Sequence, residues 1–158
     1  MISGHGGVVW HLQDGGGELM SSGTNQNYYR FTISSAARAG LAVHSIARVT
    51  KPTGRDRYPT TRTLASTTGV LDNPAGWHMV RVIITYGLTE AGGPGSVRMQ
   101  AYVDGMLVLT ADESPANNPL PSTASTGVAA SQGDIRVKSF TVSRNCPDGG
   151  IVDNADRG

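Results

Sequence analysis

Only three glutamates, Glu18, Glu90 and Glu113, and four histidines, His5, His11, His44 and His78, occur in the 158 residues. Glycoside hydrolysis needs two carboxyl groups at a fixed separation, about 5 Å in retaining enzymes. No strand-like stretch places two acidic residues on one face. Glu18 follows a glycine run and Glu90 falls in a loop, while Asp112-Glu113 is an adjacent pair whose ordinary place is a solvated loop. A serine hydrolase would need a nucleophile beside a base, yet there is no Gly-x-Ser-x-Gly turn, and no histidine stands at a recognisable spacing from a serine. His5 and His11 flank a first strand and His44 and His78 belong to separate ones, so a metal cluster would depend wholly on the fold. Surface or half-buried positions are expected for all four. Gly15-Gly16-Gly17 runs into Glu18 without a lysine, which excludes a phosphate cradle. No catalytic residue is assigned, and the chain reads as a non-enzyme.

Binding chemistry has better candidates. Saccharides stack the apolar faces of their rings on aromatic side chains while amides, carboxylates and guanidiniums take the hydroxyls. Tyr28 and Tyr29 are adjacent, so on a strand they point to opposite faces, and at least one is a candidate for exposure beside Asn27. The alternative is one tyrosine in the core and one over a sheet edge. Arg55-Asp56-Arg57-Tyr58 is a second candidate, because arginine and tyrosine are favoured in protein contacts. The ligand-binding candidates are therefore Asn27, Tyr28, Tyr29, Arg55, Arg57 and Tyr58.

The residues that must position these groups are sparse in charge and rich in turns. Charged residues are 16 % of the chain, with 13 Lys+Arg against 12 Asp+Glu and a formal net charge of +1, which gives no electrostatic reason to expect nucleic acid. The basic residues are nearly all arginine and the acidic ones nearly all aspartate, leaving few of the lysines and glutamates that build exposed helices. The 21 glycines and 8 prolines suit many short strands. A single cysteine, Cys146, makes no internal disulfide, so the fold must rest on its apolar core. No run approaches the roughly 20 apolar residues of a membrane span, and residues 1–12 lack a secretion signal. Membrane insertion is not expected, and location is left open between a virion and an extracellular surface.

Apolar residues recur with period two. Val97, Met99, Ala101 and Val103 share one face of a strand that runs into Asp104-Gly105, a two-residue hairpin turn, and returns as Met106 to Thr110. Trp77 to Tyr86 is apolar on both faces, which predicts a central strand, with Trp77 itself in the core or at a sheet edge. Val8 to Leu12, Asn27 to Ile33 and Gly40 to Val49 are further strands, and Tyr58 to Leu64 is a short edge strand because Pro59 removes a ladder donor. Asp112 to Thr126 reads as a surface loop. A last strand, Asp134 to Val142, changes parity between Val137 and Phe140, and a bulge near Lys138-Ser139 would restore one buried face. With no helix longer than a turn or two, a sheet must cover a sheet. The expectation is one all-β domain, an antiparallel β-sandwich of jelly-roll type over residues 8–146, with tails at 1–7 and 147–158.

Within that pattern, Gly76-Trp77-His78-Met79-Val80-Arg81-Val82, the strand Val97 to Tyr102 with Val103-Asp104-Gly105, Thr126-Gly127-Val128 and Val137 to Val142 resemble the concanavalin A-like lectin/glucanase superfamily, nearest its laminin-G-like sandwiches. The resemblance covers about residues 76–143. It implies a lectin-like role, and since its glycan-cleaving members use carboxylates alternating along one strand, which are missing here, it implies binding rather than cleavage. No cofactor is expected apart from calcium, which laminin-G-like sandwiches often hold; Asp72 with Asn73, or Asp112 with Asn117 and Asn118, would supply the oxygen ligands. Two functions follow as expectations: a non-catalytic module binding a glycan or a protein surface, or a structural virion subunit, a capsid decoration or tail component, assembling as a homo-oligomer. A glycan-processing hydrolase is a third.

Overall fold

The computed structural model describes residues 5–12, 27–35, 40–52, 58–71, 76–87, 95–120, 125–131, 136–145 and 151–153. Among the described residues ten strands follow one another: β1 His5–Leu12, β2 Tyr28–Ser35, β3 Leu41–Thr50, β4 Thr60–Val70, β5 Val80–Gly87, β6 Ser96–Val103, β7 Met106–Glu113, β8 Ser125–Ser131, β9 Ser143–Asn145 and β10 Ile151–Asp153. A single 3-10 turn, Pro115–Asn117, is the one helical element among the described residues. Among the described residues no helix is long and apolar enough to cross a membrane.

The strands form a five-stranded sheet in the order β4-β3-β2-β1-β8, a three-stranded sheet β5-β6-β7, and the short pair β10-β9. Every pairing is antiparallel. The two larger sheets bury one shared core, in which Trp10, Tyr29, Phe31 and Ile46 of the first meet Val97, Met99, Ala101 and Ala111 of the second. Register explains which residues meet there. Val8 faces Phe31 and Phe31 faces Ile46 across neighbouring strands, so all three project to the same side. On the other sheet Ile84, Met99 and Ala111 are likewise in line. The second face of the five-stranded sheet is not wholly polar, because Val9, Tyr28 and Val49 form a smaller buried cluster on it.

The β6–β7 turn is as the sequence implies: Asp104 and Gly105 have φ of 50° and 83°, the left-handed values that a two-residue type I′ loop demands. Asp104 also ties this turn to the entry of β5. It accepts the Met79 N–H on Oδ1 at 2.9 Å, its own N–H donates to the Met79 carbonyl at 2.8 Å, and Oδ2 meets His78 Nδ1 at 2.8 Å. These bonds, His78 foremost, hold the Asp104 carboxyl below its ordinary range.

Four expectations are corrected. β5 lies at the edge of its sheet rather than in the centre, and Trp77, just ahead of it, is 67 % exposed. Residues 136–142 are not a strand, and Val137, Phe140 and Val142 are partly exposed rather than buried, so the last described strands are the short β9 and β10. Strands enter both expected tails, at 5–7 and at 151–153. The region read as a loop from Asp112 to Thr126 opens as the end of β7 and closes as the start of β8. The edge strand expected over Tyr58 to Leu64 is found as β4, but it starts after Pro59, at Thr60, and runs on to Val70.

Candidate functional site

Glu113 is the last residue of β7 and shares the inward parity of Leu109 and Ala111. Its side chain is 1 % exposed and lies between the sheets. A carboxylate there requires partners, since an unpaired buried charge costs several kcal/mol. Three elements of the facing sheet supply them. Tyr29 of β2 donates its hydroxyl to Glu113 Oε2, Arg48 of β3 reaches the same oxygen at 3.3 Å, and Arg62 of β4 pairs with Oε1. Tyr29, Arg48 and Arg62 are brought together by ladder register, Tyr29 opposite Arg48 and Arg48 opposite Arg62. The Tyr29 oxygen in turn accepts the Leu120 N–H at 3.0 Å, and Arg48 also donates to the Asn117 carbonyl at 2.9 Å. Burial first, and then the hydrogen bond to Glu113, push the Tyr29 hydroxyl well above its usual pKa, so it remains a proton donor.

Outside this cluster the sheet edge and the 3-10 turn leave an open notch of about 360 Å³ lined by Arg48, Thr50, Thr60, Arg62 and Asn117. Arg48 is mostly covered, with a side-chain exposure of 15 %, while Arg62 is 49 % exposed. Two guanidiniums share one carboxylate, so the notch carries a net positive charge. Both forks are held in place from behind by Glu113, which leaves further N–H donors for a ligand without the entropy cost of ordering the side chains.

A second polar contact lies between the sheets at β1 and β5. His11, with φ of 56° where the β1–β8 register shifts, is buried, and its Nε2 pairs with the Tyr86 hydroxyl. The two rings stack at 5.5 Å, and His11 meets the Tyr29 ring edge-on at 5.6 Å. Burial lowers the His11 pKa to about 4, with the Leu120 backbone opposing it in part. His44 is buried too, stacked on Phe31 at 6.2 Å, and burial lowers its pKa. Both histidines are more deeply placed than the expected surface or half-buried sites.

The binding candidates are scattered. Tyr28 and Tyr29 are 1 % and 0 % exposed, on opposite faces of β2 as strand geometry requires, but both faces are covered at this point, so neither offers a ring to a saccharide. Asn27 accepts the Lys51 N–H at 2.9 Å, and Tyr58 is exposed beside β4. Arg55, Arg57 and Asp72 lie outside the described residues. Asp112 and Glu113 cannot act together, because adjacent strand residues point apart: Asp112 turns outward to a two-pronged bond with Arg98 at 2.8 and 3.0 Å, the guanidinium taking the oxygens a cation would need. Among the described residues no three His, Cys, Asp or Glu side chains come together as a metal site.

The cluster around Glu113 was not read from the sequence. The signal was present: extending the alternation of Leu109 and Ala111 by two residues puts Glu113 inside, and extending that of Ala42, His44 and Ile46 puts Arg48 inside. No protein-family model, curated protein or solved structure matches the chain.

Proposed function

We infer that the chain is a non-catalytic recognition module, a sandwich of concanavalin A-like jelly-roll type, which binds a glycan in the notch between β3, β4 and the Pro115–Asn117 turn. The observation that carries this reading is the pair of guanidiniums fixed by Glu113 beside two threonine hydroxyls. Hydroxyls and guanidinium forks suit the polyol edge of a sugar, and the excess positive charge favours one bearing a carboxylate or sulfate. A non-catalytic role is supported by the engagement of Glu113 with two arginines and a tyrosine, which leaves it committed to structure rather than to proton transfer.

A glycan array, followed by titration calorimetry on any ligand found, tests this. Binding by the wild type and an affinity loss of about tenfold in Thr60→Val, equivalent to one lost hydrogen bond, are the expected results. Absence of any acidic or neutral glycan ligand overturns the reading. It would favour a second one, a structural subunit of an oligomeric assembly such as a virion decoration, for which the exposed Trp77, Met79, Met106 and Leu107 around the β6–β7 turn are the supporting observation.

A further inference from the structure

β4 is the longest of the described strands, at 11 residues, and it ends the five-stranded sheet. It pairs with β3 on one side, and no described strand is on the other. Sheets guard such an edge with charge, proline, bulges or a covering element, because unpaired N–H and C=O groups otherwise invite another strand. The two halves of β4 differ in these defences. Pro59 precedes the first half, Arg62 lies in it, and Leu64 closes it as the extra residue of a bulge, since Ile46 pairs with Ala65 and Ala47 with Thr63. β7 also packs there, where Glu113 meets Arg62. The second half, Ala65 to Val70, contains no charge and no proline. Thr67 pairs with the core residue His44 and so shares its inward face, yet it is exposed, and Val70 at the end is 73 % exposed.

The sequence of this second half says what kind of strand fits it. Ala65-Ser66-Thr67-Thr68-Gly69 reads small, hydroxyl, hydroxyl, hydroxyl, small, the same in residue type from either end. A contact between identical copies needs that property, since residue i of one meets residue j of the other and j meets i. With a two-fold axis at Thr67, antiparallel pairing sets Thr67 opposite Thr67, Ser66 opposite Thr68 and Ala65 opposite Gly69. Each pair joins residues of one parity, so inward meets inward and outward meets outward, as a ladder requires. No charge faces a like charge, and hydroxyl pairs across strands are favourable. The same neutrality gives this edge nothing with which to select an acidic or a basic segment of another protein.

We propose that the second half of β4 is the contact between two copies of this chain, which join their five-stranded sheets edge to edge about a two-fold axis at Thr67. The outward backbone groups of β4 gain partners, and the undefended edge is closed in both copies at once. A two-fold axis between paired antiparallel strands stands perpendicular to the sheet, so both copies carry their three-stranded sheets on the same side. Arg62 lies five residues before Thr67 in each copy, which puts the two Arg62 positions roughly 35 Å apart at about 3.4 Å per residue. Resting on the glycan reading, this arrangement presents two notches to one long ligand, whereas the pairing itself needs no ligand.

Sedimentation of the full chain over a range of concentrations, without ligand, tests the proposal. The expected result is a mass that rises with concentration from one chain toward two. A chain that stays single at about 1 mM, where a pairing of about 4 kcal/mol would be half formed, overturns it. Thr67 is exposed in the single copy, so charged substitutions there leave its fold intact. Thr67→Lys sets two like charges face to face at the axis and should weaken the dimer at least about fivefold, as should Thr67→Glu. Mixing the two variants sets Lys opposite Glu and should restore association to the wild-type level or beyond. A dimer that Thr67→Lys leaves intact overturns the proposal by assigning association to another surface. A mixture no tighter than either variant alone overturns it as well. Hydrogen exchange of the wild type supplies a readout free of substitutions: amides of residues 65–70 should gain protection with concentration, and unchanged exchange in a sample that sediments as a dimer counts against the contact.

Discussion

Glu113 is the residue on which the site turns. Its carboxylate is buried with three donors, so the contributions of its partners depend on their own exposure. Glu113→Gln preserves shape but leaves Arg48, mostly covered, facing a neutral amide, and a broken buried pair costs about 3–5 kcal/mol. Arg62 is half exposed, so water takes over much of its role when the pair is lost, and Arg62→Ala should cost about 1 kcal/mol or less. Urea denaturation of the two variants should therefore give a midpoint shift at least twice as large for Glu113→Gln; equal shifts would mean that burial does not set the strength of the cluster. The sequence made the individual residues visible but not their meeting. Arg48 and Arg62 are far apart along the chain from Glu113, and only the ladder register together with sheet packing brings them to one point. The tyrosines misled for a related reason: alternation says that Tyr28 and Tyr29 face opposite ways, and it cannot say that this stretch of β2 is covered on both faces.

At the scale of the elements, backbone approach is the tightest constraint. Gly7 of β1 lies so close to β2 that an added Cβ would be 1.8 Å from the Phe31 carbonyl oxygen, a backbone atom that cannot swing aside. Gly69 of β4 has room, with the His44 ring 3.8 Å from the same hypothetical atom. Gly7→Ala should thus cost about 2–3 kcal/mol or abolish folding, whereas Gly69→Ala should change stability by less than about 1 kcal/mol, both read by thermal melting. The strands that alternation locates best, β2, β3, β6 and β7, are those with one face in the shared core, where period-two patterning has its physical origin. β1 is harder to bound because its first residues, His5-Gly6-Gly7, look like a glycine-rich tail; they pair because β2 and β8 flank them, a tertiary effect. The far half of β4, Ala65 to Val70, has little apolar alternation and is a strand because β3 offers it a complete ladder. The segment 136–142 is the reverse case: its apolar residues share one face of a strand only with a bulge at Lys138-Ser139, and it lies outside every described strand.

For the whole molecule, the two buried histidines make stability depend on pH in one direction. The His11 pKa falls from 6.5 to about 4 in the folded state, and that of His44 is also lowered, because burial disfavours the charged ring in both. Between these values the unfolded chain binds protons that the folded one refuses, so acid favours unfolding. The stability that neutral His11 contributes is therefore fully present above about pH 6.5 and is lost as the pH falls toward 4, by an amount on the order of 2 kcal/mol. Denaturation profiles at pH 7 and pH 4.5 should differ by about that much in the wild type. His11→Gln removes the titrating group, lowers stability at pH 7 by breaking the pairing with Tyr86, and should flatten the pH dependence by the His11 share, leaving the smaller slope of His44. A variant with the full wild-type slope would show that His11 is not the group that couples the packing of β1 against β5 to acid. That contact joins the two sheets at β5, the outer strand of the three-stranded sheet, so the same titration followed by hydrogen exchange should show β5 losing protection before β3 as the pH is lowered.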